Sequence, residues 1–305
     1  MIPILNKASL ASQHGARPPA AVEIAPEGVL AATSPGAGEA LSYAFAPLPP
    51  GAIAPGIAEA NLHDAKAVAG AIRSALGQVS PRTRSVTLVL PDLCVRVFML
   101  DFDSLPSKTD EALSVLRFRM RKMVPFDVEQ AGVSYQVLAQ DKTECKVLTA
   151  VTPGPVLAEY ESAVRDAGYE PGSVLPASLA ALETMDSMEA ILAANLSTLT
   201  LTTLIVNGQD LLLYRTLDLP GDSELRRQEI QRGIAVAAAY YEDKLGLRAS
   251  RLHYTGNAEG SVFAEWVGDP ELTVVDLTPP PETGAVTALG LASIAGVTGA
   301  LAGAR

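Results

Sequence analysis

The sequence predicts an α/β protein that consists of two halves with the same topology. Three observations support this prediction. The chain has 305 residues, 48% of them apolar and 19% charged, which is enough for about two domains with buried cores. Strand and helix patterns alternate along it. One order of elements (strand, turn, strand, irregular crossing, helix, strand) occurs in residues 21–90 and again in residues 199–254, which indicates an internal duplication of topology.

The first half opens with three short strands, a helix and a buried strand. The short strands are predicted at residues 21–24, 29–32 and 41–46. A helix is predicted over residues 63–76, because Val68, Ile72 and Leu76 are spaced so that they share one face. The apolar run at residues 85–90 is typical of a buried strand.

The clearest amphipathic helix of the first half is predicted at residues 109–123. Its apolar face carries Leu113, Leu116, Met120 and Met123, and its other faces carry Arg117, Arg119, Arg121 and Lys122. The remaining elements of this half are strands at residues 95–100, 133–139, 146–151 and 172–175 and helices at residues 153–167 and 176–185.

The second half repeats this pattern. Residues 199–206 form a strand, Asn207-Gly208 is a strong hairpin turn signal, and residues 210–217 form the returning strand. A long amphipathic helix over residues 223–245 and a strand over residues 251–254 follow.

Composition excludes several classes of function. The chain carries 34 acidic and 23 basic residues, a formal net charge of −11, so no nucleic-acid-binding surface is expected beyond a local basic patch. Cys94 and Cys145 are too few for a disulfide framework, and the three histidines have no metal-binding spacing. The sequence contains no P-loop and no Gly-x-Ser-x-Gly motif, so no motif indicates a hydrolase.

Neither end of the chain predicts a targeting or membrane-spanning segment. Residues 1–20 lack the apolar run of a secretory signal, so we expect a flexible leader and a cytoplasmic protein. Residues 283–304 are uncharged, but five of them are glycine and most others are small. This composition favours a closely packed small-residue helix followed by a loose tail over a membrane span.

Three segments carry a family resemblance. Residues 116–129 (LRFRMRKMVPFDVE) and 133–138 (VSYQVL) combine a helix, a Pro-Phe turn and a strand. The second segment combines residues 229–232 (EIQR) and 240–242 (YYE). The third is residues 287–292 (TALGLA). Over about residues 20–293 the chain resembles the PilM family, the actin-like cytoplasmic components of type IV pilus assembly machines.

The resemblance implies an actin-like (ribonuclease H-like) fold with duplicated halves around a nucleotide cleft. The first half would comprise residues 21–175, with a small subdomain inserted at about residues 105–151. The second half would comprise residues 176–293, with residues 1–20 as a leader and residues 294–305 as a tail.

The cleft motifs depart from the family pattern. Actin-like proteins hold phosphate and magnesium with two Asp-x-Gly hairpins, because glycine admits close N–H contacts and aspartate binds the metal through water. Aligned with the family, Glu23 and Asn195 replace the aspartates, and Ala25 and Ser197 replace the glycines. The adenosine-side loop keeps one glycine, in Gly256-Asn257.

Two neighbours of the first motif weaken it further. Pro26 has no N–H to offer a phosphate, and Glu27 adds a negative charge. We therefore expect neither ATP hydrolysis nor tight ATP binding, and no cofactor or metal. The alternative is a cleft in which Asp92, Asp101 or Asp218 supplies a metal ligand and Mg-ATP binds.

The helix at residues 109–123 has a basic face in an acidic chain. It is either a solvated helix end, where the helix dipole favours cations, or a docking surface for an acidic partner or anionic lipid headgroups. In the PilM family a groove beside the inserted subdomain receives the cytoplasmic N-terminal peptide of the membrane protein PilN. The resemblance places this groove near Arg117, Arg121 and Phe126.

Two function classes follow. The first is a non-catalytic cytoplasmic scaffold of a type IV pilus or related secretion platform, peripheral at the inner membrane through a PilN-like partner. The second is an ATP-binding switch or ATPase of the same machine, in which nucleotide changes the affinity for the partner. A more distant possibility is the cytoplasmic domain of a type II secretion protein.

Overall fold

The computed structural model describes residues 17–34, 40–58, 60–185, 189–208, 210–277 and 293–302. Most of the expected leader and the family-like segment 287–292 lie outside these ranges. The described helices are α1 (Ala65–Val79), α2 (Thr109–Met120), α3 (Gly154–Asp166), α4 (Ala177–Leu182), α5 (Ser223–Leu245), α6 (Gly260–Val267) and α7 (Ala295–Ala302).

The first half is built on a mixed five-stranded sheet in the order β3-β2-β1-β4-β8. Its strands are β1 (Ala20–Ala25), β2 (Gly28–Thr33), β3 (Ser42–Pro47), β4 (Ser85–Leu90) and β8 (Glu170–Pro176). The first three pair antiparallel, while β4 is parallel to β1 and to β8. Helices α1 and α3 bury apolar side chains such as Ile72 and Tyr160 against one face of this sheet.

The second half repeats this sheet in the order β11-β10-β9-β12-β13. Its strands are β9 (Ile191–Leu196), β10 (Thr200–Asn207), β11 (Asp210–Asp218), β12 (Arg251–Gly256) and β13 (Thr273–Asp276). The strand directions match those of the first sheet, which confirms the duplication of topology. The repeat begins at β9 and not at residue 199 as predicted. β9 is buried throughout, so its sequence lacks the alternation that marks a half-exposed strand.

The small subdomain is a three-stranded antiparallel sheet in the order β5-β7-β6, inserted between β4 and α3. Its strands are β5 (Arg96–Phe102), β6 (Gly132–Gln140) and β7 (Cys145–Thr152). It therefore starts at Arg96, before the expected start near Leu105. Helix α2 covers one face through Leu116 and Met120, and it ends at Met120, so that Met123 is exposed instead of completing the predicted apolar face.

Helices α4 and α7 lie side by side and join the two halves. Leu182 of α4 packs with Ile191 and Leu204 of the second sheet. Val297 and Ala300 of α7 pack with Val89 and other residues of the first sheet. Residues 295–302 thus form part of the first half's core and not a tail, because their small side chains allow α7 to approach α4 closely. No helix among the described residues is both long enough and apolar enough to cross a bilayer.

Candidate functional site

The turns of the β1–β2 and β9–β10 hairpins face each other across a cleft between the halves. Glu23, Ala25, Asn195, Ser197 and Asn257 line one cavity of about 60 Å³ there, which is space for a few water molecules. Gly256 lies behind the cavity at the end of β12, where a Cβ would overlap the Tyr254 hydroxyl group. The structure therefore brings the predicted cleft residues together.

A chain of side-chain hydrogen bonds spans this cleft. The hydroxyl of Thr198, in the second turn, donates to Glu27 Oε1 in the first turn. Asn257 Nδ2 donates to Thr198 Oγ1 at 2.8 Å. We call Glu27, Thr198 and Asn257 the cleft bridge. Its carboxylate, supplied by the chain itself, stands between the two turns that hold phosphate in actin-like proteins.

Arg226 of α5 supports the second turn from behind. Its guanidinium group donates to the carbonyl oxygens of Ser197, at 2.8 Å, and Thr198. Desolvation lowers the pKa of Arg226, although the nearby Glu27 acts in the opposite direction. Because Arg226 binds these backbone carbonyl oxygens, its hydrogen-bond donors are directed at the protein and not at a ligand in the cleft.

Three backbone N–H groups of the second turn, those of Ser197, Leu199 and Thr200, have partners within the turn. Leu199 N and Thr200 N donate to Ser197 Oγ at 3.2 and 2.9 Å. Ser197 N donates to Thr200 O at 2.9 Å, and Asn257 N donates to Leu196 O at 3.1 Å. Ser197, at the family's glycine position, thus binds N–H groups that a phosphate cradle would have to present.

The carboxyl group of Glu23 has a buried oxygen, Oε2, with no hydrogen-bond partner in the part of the chain that the structure describes. This oxygen lies against Gly296 of α7, where a Cβ would overlap it. Burial, with repulsion from Asp92 and Glu27, raises the pKa of Glu23 from 4.5 to about 8. In the metal-free protein at neutral pH the group is therefore mostly protonated.

Asp92 is a buried carboxylate that ties the two halves together. Its Oδ1 accepts hydrogen bonds from the Ser178 backbone N–H at 3.1 Å and hydroxyl at 2.8 Å, and its Oδ2 accepts one from Thr202 of β10 at 3.4 Å. Burial nevertheless raises the pKa of Asp92. Both oxygens are engaged by protein donors, so Asp92 acts as an interdomain anchor.

The other two alternative metal ligands lie elsewhere. Asp101 is exposed on β5 of the small subdomain, and Asp218 is exposed at the end of β11. Within the described ranges no group of three or more His, Cys, Asp or Glu side chains could hold a metal ion. Three features of the cleft are unfavourable for Mg-ATP: the first turn contains a proline, Ser197 Oγ accepts the Leu199 and Thr200 N–H groups of the second turn, and the Glu27 carboxylate lies between the turns.

The three predicted partner-groove residues surround the segment that joins α2 to β6. Arg117 is half-buried and donates to the carbonyl oxygens of Val128 and, at 3.0 Å, Ala131. Arg121 forms an exposed ion pair with Glu129 at 2.7 Å. Phe126 is half-buried against the core of the small subdomain. Arg117 therefore holds the fold of this segment, whereas Arg121 is exposed and Phe126 keeps part of its ring accessible.

No protein-family model matches the chain, and no curated protein sequence matches it. Solved structures do match. A chain of the PilM-PilN type IV pilus biogenesis complex superposes with a TM-score of 0.72, at 19% identity, over 94% of this chain and 98% of that chain. This protein has the actin-like fold of PilM. The resemblance predicted from the sequence is confirmed at the level of the fold.

Two further structures agree with this PilM-like fold. The cytoplasmic domain of EpsL, an inner-membrane component of the type II secretion system of Vibrio cholerae, matches with a TM-score of 0.50 and 14% identity, over 89% of this chain and 92% of that chain. A Bacteroides thetaiotaomicron protein of unknown function with an actin-like ATPase fold matches with a TM-score of 0.50 and 9% identity, over 89% of this chain and 94% of that chain.

The sequence did not predict the hydrogen-bond partners of the cleft residues. It noted Glu27 as a repulsive charge but not the bridge to Thr198, which lies 171 residues away. It also missed Arg226, which stands among several other charged residues in α5 without a distinguishing local pattern. Packing of the two halves brings Glu27 to Thr198, and folding of the second half brings Arg226 to the Ser197 and Thr198 carbonyl groups.

Proposed function

We propose that this protein is a non-catalytic, actin-like scaffold in the cytoplasm, on the inner-membrane platform of a type IV pilus or a related secretion machine. Support comes from the fold, which matches a chain of the PilM-PilN complex over nearly the whole chain and EpsL less closely. Because one fold serves both enzymes and binding proteins, the chemistry of the cleft must decide between them.

The observation that carries the non-catalytic assignment is the cleft bridge. A carboxylate bound to Thr198 occupies the space between the two turns, and the Leu199 and Thr200 N–H groups of the second turn donate to Ser197 Oγ. An incoming triphosphate would have to break these contacts and lie beside Glu27. The two halves are thus held together without nucleotide, as a scaffold requires. ATP binding and hydrolysis remain the alternative, tested by titration below.

The proposed partner is the cytoplasmic N-terminal peptide of a PilN-like bitopic membrane protein, through which the scaffold is peripheral at the inner membrane. We place the peptide beside the segment 126–131 of the small subdomain. Arg121 and Phe126 offer a cation and a partly exposed aromatic ring there. Arg117 contributes by holding the Val128 and Ala131 carbonyl groups.

Peptide binding tests this function. A labelled peptide with the cytoplasmic N-terminal sequence of the PilN-like protein from the same organism is titrated with the full chain, and fluorescence anisotropy is measured without nucleotide. We expect saturable binding, weakened about tenfold or more by Arg121→Glu with Phe126→Ala, since anchor side chains dominate such interfaces.

Arg232→Glu is the matched control, because Arg232 also forms an exposed pair, with Glu229, but lies on α5 of the second half. Equal losses in both variants, or no binding by the native chain, would overturn the proposed peptide site. Binding that appears only after addition of Mg-ATP would favour the ATP-switch alternative.

A further inference from the structure

The end of α2 exposes the most accessible of the large apolar side chains described. Phe118 is 73% exposed, and Met123, just beyond the helix, is 42% exposed. Arg119 and Lys122 are exposed beside them and have no ion-pair partner among the described residues. We call these four residues the α2 tip. They concentrate positive charge and apolar surface in a chain whose net charge is −11.

The α2 tip adjoins the proposed peptide site. The Arg121 guanidinium group lies over the Phe118 ring, 5.9 Å from the ring centroid. The nearby acidic groups already have partners. Glu129 is paired with Arg121, and Asp127 accepts a hydrogen bond from the Glu129 backbone N–H at 2.9 Å.

We propose that the α2 tip contacts the surface of an anionic bilayer directly. A projecting phenylalanine can enter the boundary between headgroups and acyl chains, while adjacent arginine and lysine side chains attract anionic headgroups. Anchor residues of peptide interfaces fill concave pockets. Here the side chains project into solvent, which favours a lipid surface over a peptide.

The contact is expected to be weak and dependent on salt. Two unpaired cations and one aromatic ring oppose the repulsion between an acidic protein and an anionic membrane, and added salt screens the attraction. Such a contact becomes effective when a second attachment keeps the protein near the bilayer. In this respect the inference rests on the proposed membrane partner, but the lipid contact itself requires only this chain.

Vesicle co-sedimentation of the full chain tests the inference. Vesicles of phosphatidylethanolamine and phosphatidylglycerol are compared with vesicles of phosphatidylcholine alone, at low and at raised ionic strength. We expect binding to the anionic vesicles at low salt only. Arg119→Glu with Lys122→Glu should weaken it about tenfold or more, and Phe118→Ser should weaken it without a change in net charge.

Matched controls separate the α2 tip from a general effect of charge or hydrophobicity. Arg227→Glu with Arg251→Glu changes the net charge equally at exposed positions of the second half, and Leu247→Ser removes an apolar side chain that is 53% exposed there. These variants should bind vesicles as the native chain does. All substituted side chains are exposed, so thermal unfolding should change little.

Absence of native binding to anionic vesicles would overturn the inference, as would equal losses in the tip and control variants. If the tip variants keep vesicle binding but lose the PilN-like peptide, the tip is a peptide surface and the inference is wrong. Conversely, vesicle binding that depends on the tip, in a chain that binds no such peptide, would support the lipid contact while the proposed peptide partner fails.

Discussion

Glu27 shows how a single side chain changes the chemistry of an actin-like cleft. Its carboxylate accepts a hydrogen bond from Thr198 of the opposite half, and Asn257 fixes the Thr198 hydroxyl. In a nucleotide-binding actin-like protein, the residue at the position of Glu27 would have to lie next to the triphosphate. Here a fixed intramolecular anion is bound by short side chains.

A double-mutant cycle tests the cleft bridge. Glu27→Ala, Thr198→Ala and the double variant are unfolded in urea, and the coupling free energy is calculated. We expect about 1 kcal/mol, the usual net contribution of one hydrogen bond, because both residues are partly exposed. Additive effects of the two substitutions would mean that the bridge contributes nothing to stability.

Arg117 of α2 and Arg121, the residue just after this helix, should differ in their effect on stability when the charge is removed. Arg117→Met leaves the Val128 and Ala131 carbonyl groups without their donor, so we expect a loss of about 2 kcal/mol in the free energy of unfolding. Arg121→Met removes only an exposed ion pair and should cost less than about 1 kcal/mol.

Urea unfolding measures both values, and amide exchange at residues 126–131 localises the effect. Equal stabilities would show that Arg117 does not hold this segment. In that case the original expectation, that Arg117 contacts the partner, would regain support.

At the scale of elements, α7 depends on its glycines. A Cβ at Gly299 would overlap the Ala180 carbonyl oxygen of α4, whereas a Cβ at Gly77 of α1 meets nothing within 4 Å. Close packing therefore requires glycine at position 299 of α7 but not at position 77 of α1. Only in α7 does it permit the close approach that joins the two halves.

Alanine substitution should therefore change the free energy of unfolding in opposite directions at Gly299 and at Gly77. Gly299→Ala is expected to lower the free energy of unfolding by about 1–3 kcal/mol through overpacking. Gly77→Ala should raise it by up to about 1 kcal/mol through helix propensity. Thermal unfolding distinguishes them, and a stabilised Gly299→Ala variant would contradict the packing of α7 against α4.

Local patterns predicted most elements, and their failures have physical causes. The Asn207-Gly208 signal and its two strands are confirmed, since Asn207 pairs with Asp210 and Gly208 has a φ of 60°. Strand β9 was missed because it is buried on both faces. The residues of the cleft could be named from the hairpin positions, but their partners could not, because contacts such as Glu27 to Thr198 exist only after the halves meet.

At the scale of the whole molecule, buried carboxyl groups between the halves make stability depend on pH. Folded Glu23 keeps its proton up to about pH 8, while the unfolded chain releases it near the ordinary value of 4.5. Its contribution to stability is therefore full below about pH 4.5 and is lost as the pH rises to about 8. Asp92 shifts in the same direction.

The variant Glu23→Gln removes this titration and keeps the shape of the side chain. Between about pH 5 and pH 8 the native chain should lose free energy of unfolding with a steeper slope than the variant, by up to about 1.4 kcal/mol per pH unit. Urea unfolding across this range measures both slopes. Parallel curves would show that Glu23 ionises normally in the folded protein.

We infer that the chain's own side chains close the cleft, so that the proposed scaffold needs no nucleotide. Calorimetric titration of the purified chain with Mg-ATP is the test of this claim. We expect no binding up to millimolar nucleotide, because Glu27 stands between the two turns and Ser197 accepts the Leu199 and Thr200 N–H groups. Micromolar affinity would contradict the claim and make the protein an ATP-dependent switch.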